Sequence, residues 1–231
     1  MRVNISQFAS IAICEAKPYW SLVLREPPRF GAWVKLGTKH HSISQKEDAL
    51  KDYKRLPFPE LKKELAKKES VLELPSEKIR VRFAFAGMVF SGQLDKMLKF
   101  EEKVLVIDEK FVGESAGKMH ERYHLQLGAY CLGLKSGATA LARGSKSELL
   151  GEELFKDFEL RYRIVERSRA TRKVLFESEE CLFEEEKLFP TLERFASILN
   201  DEVSWKEMKK PEKHVCARCE YAHVCTRAKT L

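Results

Sequence analysis

Residues 104–110 read Val104-Leu105-Val106-Ile107-Asp108-Glu109-Lys110, an apolar run closing on a charged triplet. A short, continuous apolar run of this kind predicts a strand buried on both faces. Side chains alternate along a strand, so Asp108 and Lys110 leave one face and Glu109 the other. Taken alone the triplet is an ordinary surface ion pair, worth little. Its neighbours along the chain give it a different meaning.

Upstream, Ile79, Val81, Phe83 and Phe85 alternate with Arg80, Arg82, Ala84 and Ala86, the two-residue period of a half-buried strand, and Gly87 supplies a turn. Residues 88–97 then form the second strand of a hairpin, and a polar turn at 99–103 leads into the buried strand, which ends at Asp108. Downstream, residues 114–134 predict a helix with Tyr123, Leu127, Tyr130 and Leu134 on one face. Two further strands are expected at 138–143 and 158–165, and a last helix at 180–199. Residues 44–73 favour helix, and the Lys62-Lys63-Glu64 and Lys67-Lys68-Glu69 stretches are either its solvated face or a DNA-facing one. The sum is a mixed α/β fold, a mixed central β-sheet flanked by helices. No repeat or linker divides it, so one domain is expected over 1–231: an N-terminal helical part at 1–75, a core at 76–200 and a cysteine-rich tail at 201–231.

The 231 residues are 44% hydrophobic, enough for one sizeable core, and 42 Lys and Arg against 35 Asp and Glu leave a net charge of +7. That excess favours a polyanionic partner. No apolar run reaches the length of a membrane span and the N-terminus does not read as an export signal, so a soluble cytoplasmic protein without membrane contact is expected. With six cysteines and no export signal, thiolate ligands or plain core residues are more natural than a disulfide framework. The scarcity of Asn and Gln beside 33% charged residues leans toward a thermophilic source.

Asp95 falls near the end of the second hairpin strand. Carboxylates brought together from adjacent strands repel each other unless a divalent cation sits between them. Asp95 and Asp108 are thus candidate ligands for Mg2+ or Mn2+, with Lys110 as an electrostatic clamp or orienter of water. Water on such an ion loses a proton near neutral pH and can hydrolyse a phosphodiester. Gln126 and Tyr130, at i and i+4, present an amide and a phenol to the same side. Gly37-Thr38-Lys39-His40-His41 offers an imidazole as a further ligand. At the C-terminus, Cys216-Ala217-Arg218-Cys219 and Cys225 form a C-x2-C-x5-C group that needs a fourth ligand, with Cys14 the candidate. Zinc with His214 or His223 in place of Cys14 is the alternative. Cys131 and Cys181 read as small apolar residues.

In order along the chain, Gly37-Thr38 with His41, Gly92-Gln93-Leu94-Asp95, Asp108-Glu109-Lys110 and Gln126-Leu127-Gly128-Ala129-Tyr130 resemble the boxes of the RecB-like branch of the PD-(D/E)XK nucleases. Cys14 followed by Trp20, together with the cysteine tail, is similar to the iron-sulfur members of that branch. By size the chain most resembles the fourth family of CRISPR-associated proteins, small stand-alone exonucleases. The resemblance implies a restriction-endonuclease-like core and a 4Fe-4S cluster on Cys14, Cys216, Cys219 and Cys225. It implies a metal site at His41, Asp95 and Asp108, with Lys110, Gln126 and Tyr130 as catalytic residues. The substrate it implies is single-stranded DNA or frayed ends, in spacer acquisition alongside CRISPR integrase proteins. Three departures stand out: Asp108 replaces a common glutamate, His40 competes with His41, and Glu15-Ala16 follow Cys14 where proline and arginine are frequent. Two other functions fit the sequence, a DNA-binding accessory subunit of a spacer-integration complex and a zinc-stabilised regulatory domain.

Overall fold

The computed structural model describes residues 1–29, 63–64, 67, 72–75, 79–140, 148–149, 155–209, 211 and 213–225. Gly37-Thr38, His40 and His41 lie outside the described residues, as does most of 44–73, including every lysine there but Lys63 and Lys67. The chain begins with β1 (Arg2–Asn4), α1 (Ile5–Ala9), a 3-10 turn (Ser10–Ala12), α2 (Ala16–Pro18) and a π-helical turn (Tyr19–Val23). The strands β2 (Leu72–Pro75), β3 (Ile79–Phe85), β4 (Met88–Gln93), β5 (Lys96–Phe100) and β6 (Lys103–Val112) lead to α3 (Glu121–Ser136). Then come β7 (Ala138–Ala140), β8 (Glu148–Leu149), β9 (Glu159–Ser168), β10 (Val174–Glu177), β11 (Cys181–Leu182), α4 (Glu185–Leu199) and α5 (Lys213–Ala217).

The alternation in β3 appears as expected. Ile79, Val81 and Phe83 are buried while Arg80, Arg82 and Ala84 are exposed, each large apolar side chain contributing roughly 1.5–3 kcal/mol on burial. Ala86 and Gly87, with φ of 46° and 72°, make the two-residue turn to β4. Among the described residues the strands form two sheets where one was expected. The first is ordered β1-β4-β3-β7-β8, and the second β10-β9-β6-β5-β2 with β11 also beside β9. The N-terminal part expected to be helical therefore contributes two strands, β1 and β2.

The change of sheet happens inside the segment 88–97 that reads as one strand. The Leu94 N–H donates to Ile79 O at 3.2 Å and the Leu94 side chain is buried, which anchors the chain to the first sheet. Two residues on, Lys96 pairs with Ile107 in the second sheet. Asp95 sits between the two ladders.

β6 does not stop at Asp108. It continues to Val112 because β9 pairs with it in parallel along its whole length, from Lys103 opposite Glu159 to Val112 opposite Ser168. Asp108 and Lys110 therefore lie inside a strand that β9 alone pairs at their level, just past the end of the β5 ladder at Ile107. The β5–β6 turn is tighter than expected, at Glu101-Glu102, with Glu101 at φ 49°. Helix α3 begins at Glu121 rather than at 114. The last helix starts later too, because Cys181 and Leu182 pair with Tyr162 and Arg161 of β9.

Every side chain of α3 from Leu125 to Leu134 is buried, so the helix is enclosed rather than lying with one face on a sheet. Gly133 permits this approach: a Cβ there would stand 2.7 Å from Val81 Cβ. The core beneath α1 and α4 is aromatic, with Phe90 stacked on Phe83 at 4.8 Å and Phe8 set edge-on to Phe90 and Phe195.

Candidate active site and a cysteine cavity

The β5–β6 register brings the two carboxylates together. One step beyond the Lys96–Ile107 pair, Asp95 lies opposite Asp108, and the Glu109 N–H donates to Asp95 Oδ2 at 3.0 Å. Asp108 is 2% exposed and Asp95 half-buried. Burial, and then the facing Asp108 carboxylate, hold the Asp95 carboxyl well above the usual carboxylate range. The Lys110 ammonium stands 2.6 Å from Asp108 Oδ2. Burial alone would push Lys110 down, but Asp108 and Asp95 outweigh it and leave its affinity for the proton raised. Glu109, on the opposite face, pairs with Arg167 at 2.8 Å.

Helix α3 supplies the cover. Gln126 Nε2 donates to Tyr130 Oη at 3.0 Å and reaches Asp108 Oδ1 at 3.4 Å. Burial, followed by the Asp108 charge, keeps the Tyr130 phenol protonated far above its ordinary range. The tyrosine ring fits because residue 92 is glycine: a Cβ there would lie 2.6 Å from Tyr130 Cε1. Gly92 thus sets the distance between α3 and the strand that delivers Asp95.

Two further residues at this site carry no sequence signal of their own. The Tyr123 ring lies under the Lys110 ammonium, 5.5 Å from its centroid, and burial pushes its phenol up. Glu166, 2% exposed, pairs in register with Lys110 and accepts from Ser115 Oγ at 2.5 Å and from the Ala116 N–H at 3.1 Å. It tethers the connection that enters α3. Parallel pairing of β6 with β9 brings it there, and parallel register cannot be read from either strand separately.

A divalent cation fits this donor set. Gln126 Oε1 is buried without a hydrogen-bond partner among the described residues, and Asp108 Oδ2, also buried, is met by the Lys110 ammonium alone. Among the described residues no three His, Cys, Asp or Glu side chains converge closely enough to hold a metal ion by themselves. The third ligand expected at His41, or at His40, lies outside them.

The second cluster is at the chain ends. Cys14, Cys216, Cys219 and Cys225 line one cavity together with Lys17 and Trp20. Burial raises the Cys14 thiol, with Cys219 and Cys216 adding to it, and burial likewise raises Cys219. The Tyr221 N–H points to Cys219 Sγ at 3.5 Å. Ion pairs brace the cavity: Lys17 meets Glu220 at 2.9 Å, and Arg194 grips Glu15 through two nitrogens at 3.1 and 2.8 Å. Glu15, the residue that departs from the resembled pattern, also accepts the Lys209 N–H at 2.7 Å. Although burial works against it, Arg194 and that N–H hold the Glu15 carboxyl below its ordinary value. Four thiols lining one cavity are the donor type that an iron-sulfur cluster takes, although, like the carboxylates, no three of them stand close enough to hold a single metal ion. His214 and His223 are not among the residues that line it. Cys131 is fully buried inside α3, and Cys181 sits on β11.

A sheet that offers two carboxylates and a lysine to one point, covered by an amide and a phenol, suits metal-assisted phosphodiester hydrolysis. The sequence profile of the PD-(D/E)XK nuclease superfamily matches residues 23–226, and the chain belongs to that superfamily. No curated protein matches it significantly. The crystal structure of SSO0001 is similar over 98% of this chain and 86% of that one, at 13% identity and a TM-score of 0.50, a likeness of fold. A protein from Eubacterium rectale, provisionally named an exonuclease, is similar over the same shares at 12% identity and a TM-score of 0.46. Among the described residues no helix is long and apolar enough to cross a membrane.

Proposed function

We propose that this chain is a single-domain, Mg2+- or Mn2+-dependent deoxyribonuclease that removes nucleotides from single-stranded or frayed DNA ends and carries a 4Fe-4S cluster. The observation that carries the nuclease reading is the facing of Asp95 and Asp108 beside Lys110. Asp95, Asp108 and His41 would hold the catalytic ion. When bound, that ion supplies Lewis acidity and a water of lowered pKa.

The protein's own part follows from the contacts. Lys110 keeps its proton because two carboxylates face it, so a fixed positive charge awaits the charge that develops on the phosphate. Gln126 holds Asp108 through one oxygen and Tyr130 through its phenol, which keeps the carboxylate aimed as substrate arrives. Tyr123, packed under Lys110, limits where the ammonium can go. Cys14, Cys216, Cys219 and Cys225 would ligate the cluster, which would clamp the two chain ends to the core. The net charge of +7 suits a DNA backbone. The resemblance to the fourth family of CRISPR-associated proteins supports a role in spacer acquisition with integrase proteins.

The test is Mn2+-dependent degradation of end-labelled single strands by anaerobically purified protein. Progressive shortening from one end, absent without divalent ions and absent in Asp108→Asn, is expected. DNA binding with no cleavage under any divalent ion would instead make the chain a binding subunit.

A further inference from the structure

Trp20 contributes to the cavity shared by the four cysteines, and its indole nitrogen is buried with no hydrogen-bond partner among the described residues. Its ring is well fixed, set edge-to-face against Trp205 at 5.6 Å and 84°. Folded proteins rarely leave a buried donor unmatched, and where they do an ion or bound group is a frequent reason. An indole N–H can only donate, so what it lacks is an acceptor. The cavity offers few. None of its side chains carries a carboxylate or amide oxygen, Lys17 is a donor already paired with Glu220, and the Tyr221 hydroxyl meets Ser21. Besides that hydroxyl, the side-chain acceptors the cavity offers among the described residues are the cysteine sulfurs.

We infer that Trp20 donates its indole N–H to sulfur of the cluster held by Cys14, Cys216, Cys219 and Cys225, and so raises the cluster's reduction potential. The inference rests on the iron-sulfur reading above. Hydrogen bonds to cluster or thiolate sulfur withdraw electron density and favour the reduced, more negative state. Trp20 is thus a positioning residue for the cluster, with no contact to the DNA-cleaving site required.

Full-length protein, prepared anaerobically with 15N-indole-labelled tryptophan, tests this in wild type, Trp20→Phe and Trp205→Phe. Pulsed electron paramagnetic resonance of the dithionite-reduced cluster should show coupling to an indole nitrogen in wild type. Trp205→Phe, which removes the indole set edge-to-face against Trp20 but leaves the Trp20 N–H, should retain it. Trp20→Phe should keep its iron, lose the coupling and show a more negative potential in a redox titration. Should Trp20→Phe lose its iron through misfolding, the wild-type and Trp205→Phe spectra still decide. A brown wild type with no indole coupling, or an iron-replete Trp20→Phe with unchanged potential, overturns the inference and leaves the cluster standing. A colourless, zinc-containing wild type overturns both.

Discussion

The carboxylate site and the cysteine cavity are assembled by opposite means. Asp95, Asp108, Lys110, Gln126 and Tyr130 come from one continuous stretch, delivered by a hairpin and the helix after it. Cys14 and Cys216 lie at opposite ends of the chain, joined by the cavity and braced by the Glu15–Arg194 and Lys17–Glu220 pairs. The first is positioned by the register of neighbouring strands, with β9 holding β6 at Asp108 and Lys110. One built from chain ends exists only while those ends are docked. The two should therefore be separately breakable.

The largest effect is expected at the carboxylates. Asp108→Asn and Asp95→Asn should each reduce DNA cleavage by about a thousandfold or more, since each would remove a proposed ligand and a transition-state charge arrangement. Iron content and thermal stability should stay close to wild type. Equal loss of iron in these variants would show that the two regions are coupled.

Next come the cysteines. Cys14→Ser, Cys216→Ser, Cys219→Ser and Cys225→Ser should each bleach the protein and make both termini sensitive to limited proteolysis, because loss of a proposed ligand would forfeit binding energy that is also folding energy. Cys131→Ser and Cys181→Ser should stay brown. Mass spectrometry of the proteolytic fragments checks that both ends open together.

Lys110→Met should lower kcat by about a hundredfold to a thousandfold while changing Mn2+ affinity much less than the aspartate variants do. Calorimetric titration of Mn2+ beside single-turnover kinetics separates the two quantities.

A smaller effect, opposite in sign for the two regions, is expected with pH. Asp95 has a raised folded-state pKa, so the metal-free protein binds more protons than the unfolded chain above the ordinary carboxylate range. Its stabilising contribution is present at low pH and disappears as pH rises through that raised value. Glu15 is depressed, so its contribution is present above the ordinary carboxylate range and disappears as pH falls. Proteolysis of the termini should grow toward acid pH in wild type and depend less on pH in Glu15→Gln.

Much of the carboxylate site was legible because β-structure has a period of two: Asp108 and Lys110 share a face whatever the fold. The hairpin and the i, i+4 pair Gln126 and Tyr130 follow from equally local rules. What was not legible depends on pairing between distant strands. The switch of sheets at Leu94-Asp95, the extension of β6 to Val112 and the placement of Glu166 beside Lys110 all require knowing which strand lies next to which. The spacing of Cys216, Cys219 and Cys225 pointed to a ligand set, but the place of Cys14 in the same cavity is a product of docking, as is the bracing role of Glu15. The DNA-facing role considered for the lysines between 46 and 68 falls mostly on residues outside those described.

The most direct test of the central claim, that Asp95 and Asp108 jointly hold the catalytic ion, is Mn2+ binding followed from acid to neutral pH in wild type and Asp108→Asn. Wild type should bind more tightly as pH rises, because the ion competes with the proton that Asp95 retains, and should release protons on binding. Asp108→Asn should bind far more weakly, with its pH dependence moved toward acid, because the Asp108 part of the Asp95 shift is gone while the part due to burial remains. Unchanged Mn2+ affinity and pH dependence in Asp108→Asn would contradict the account.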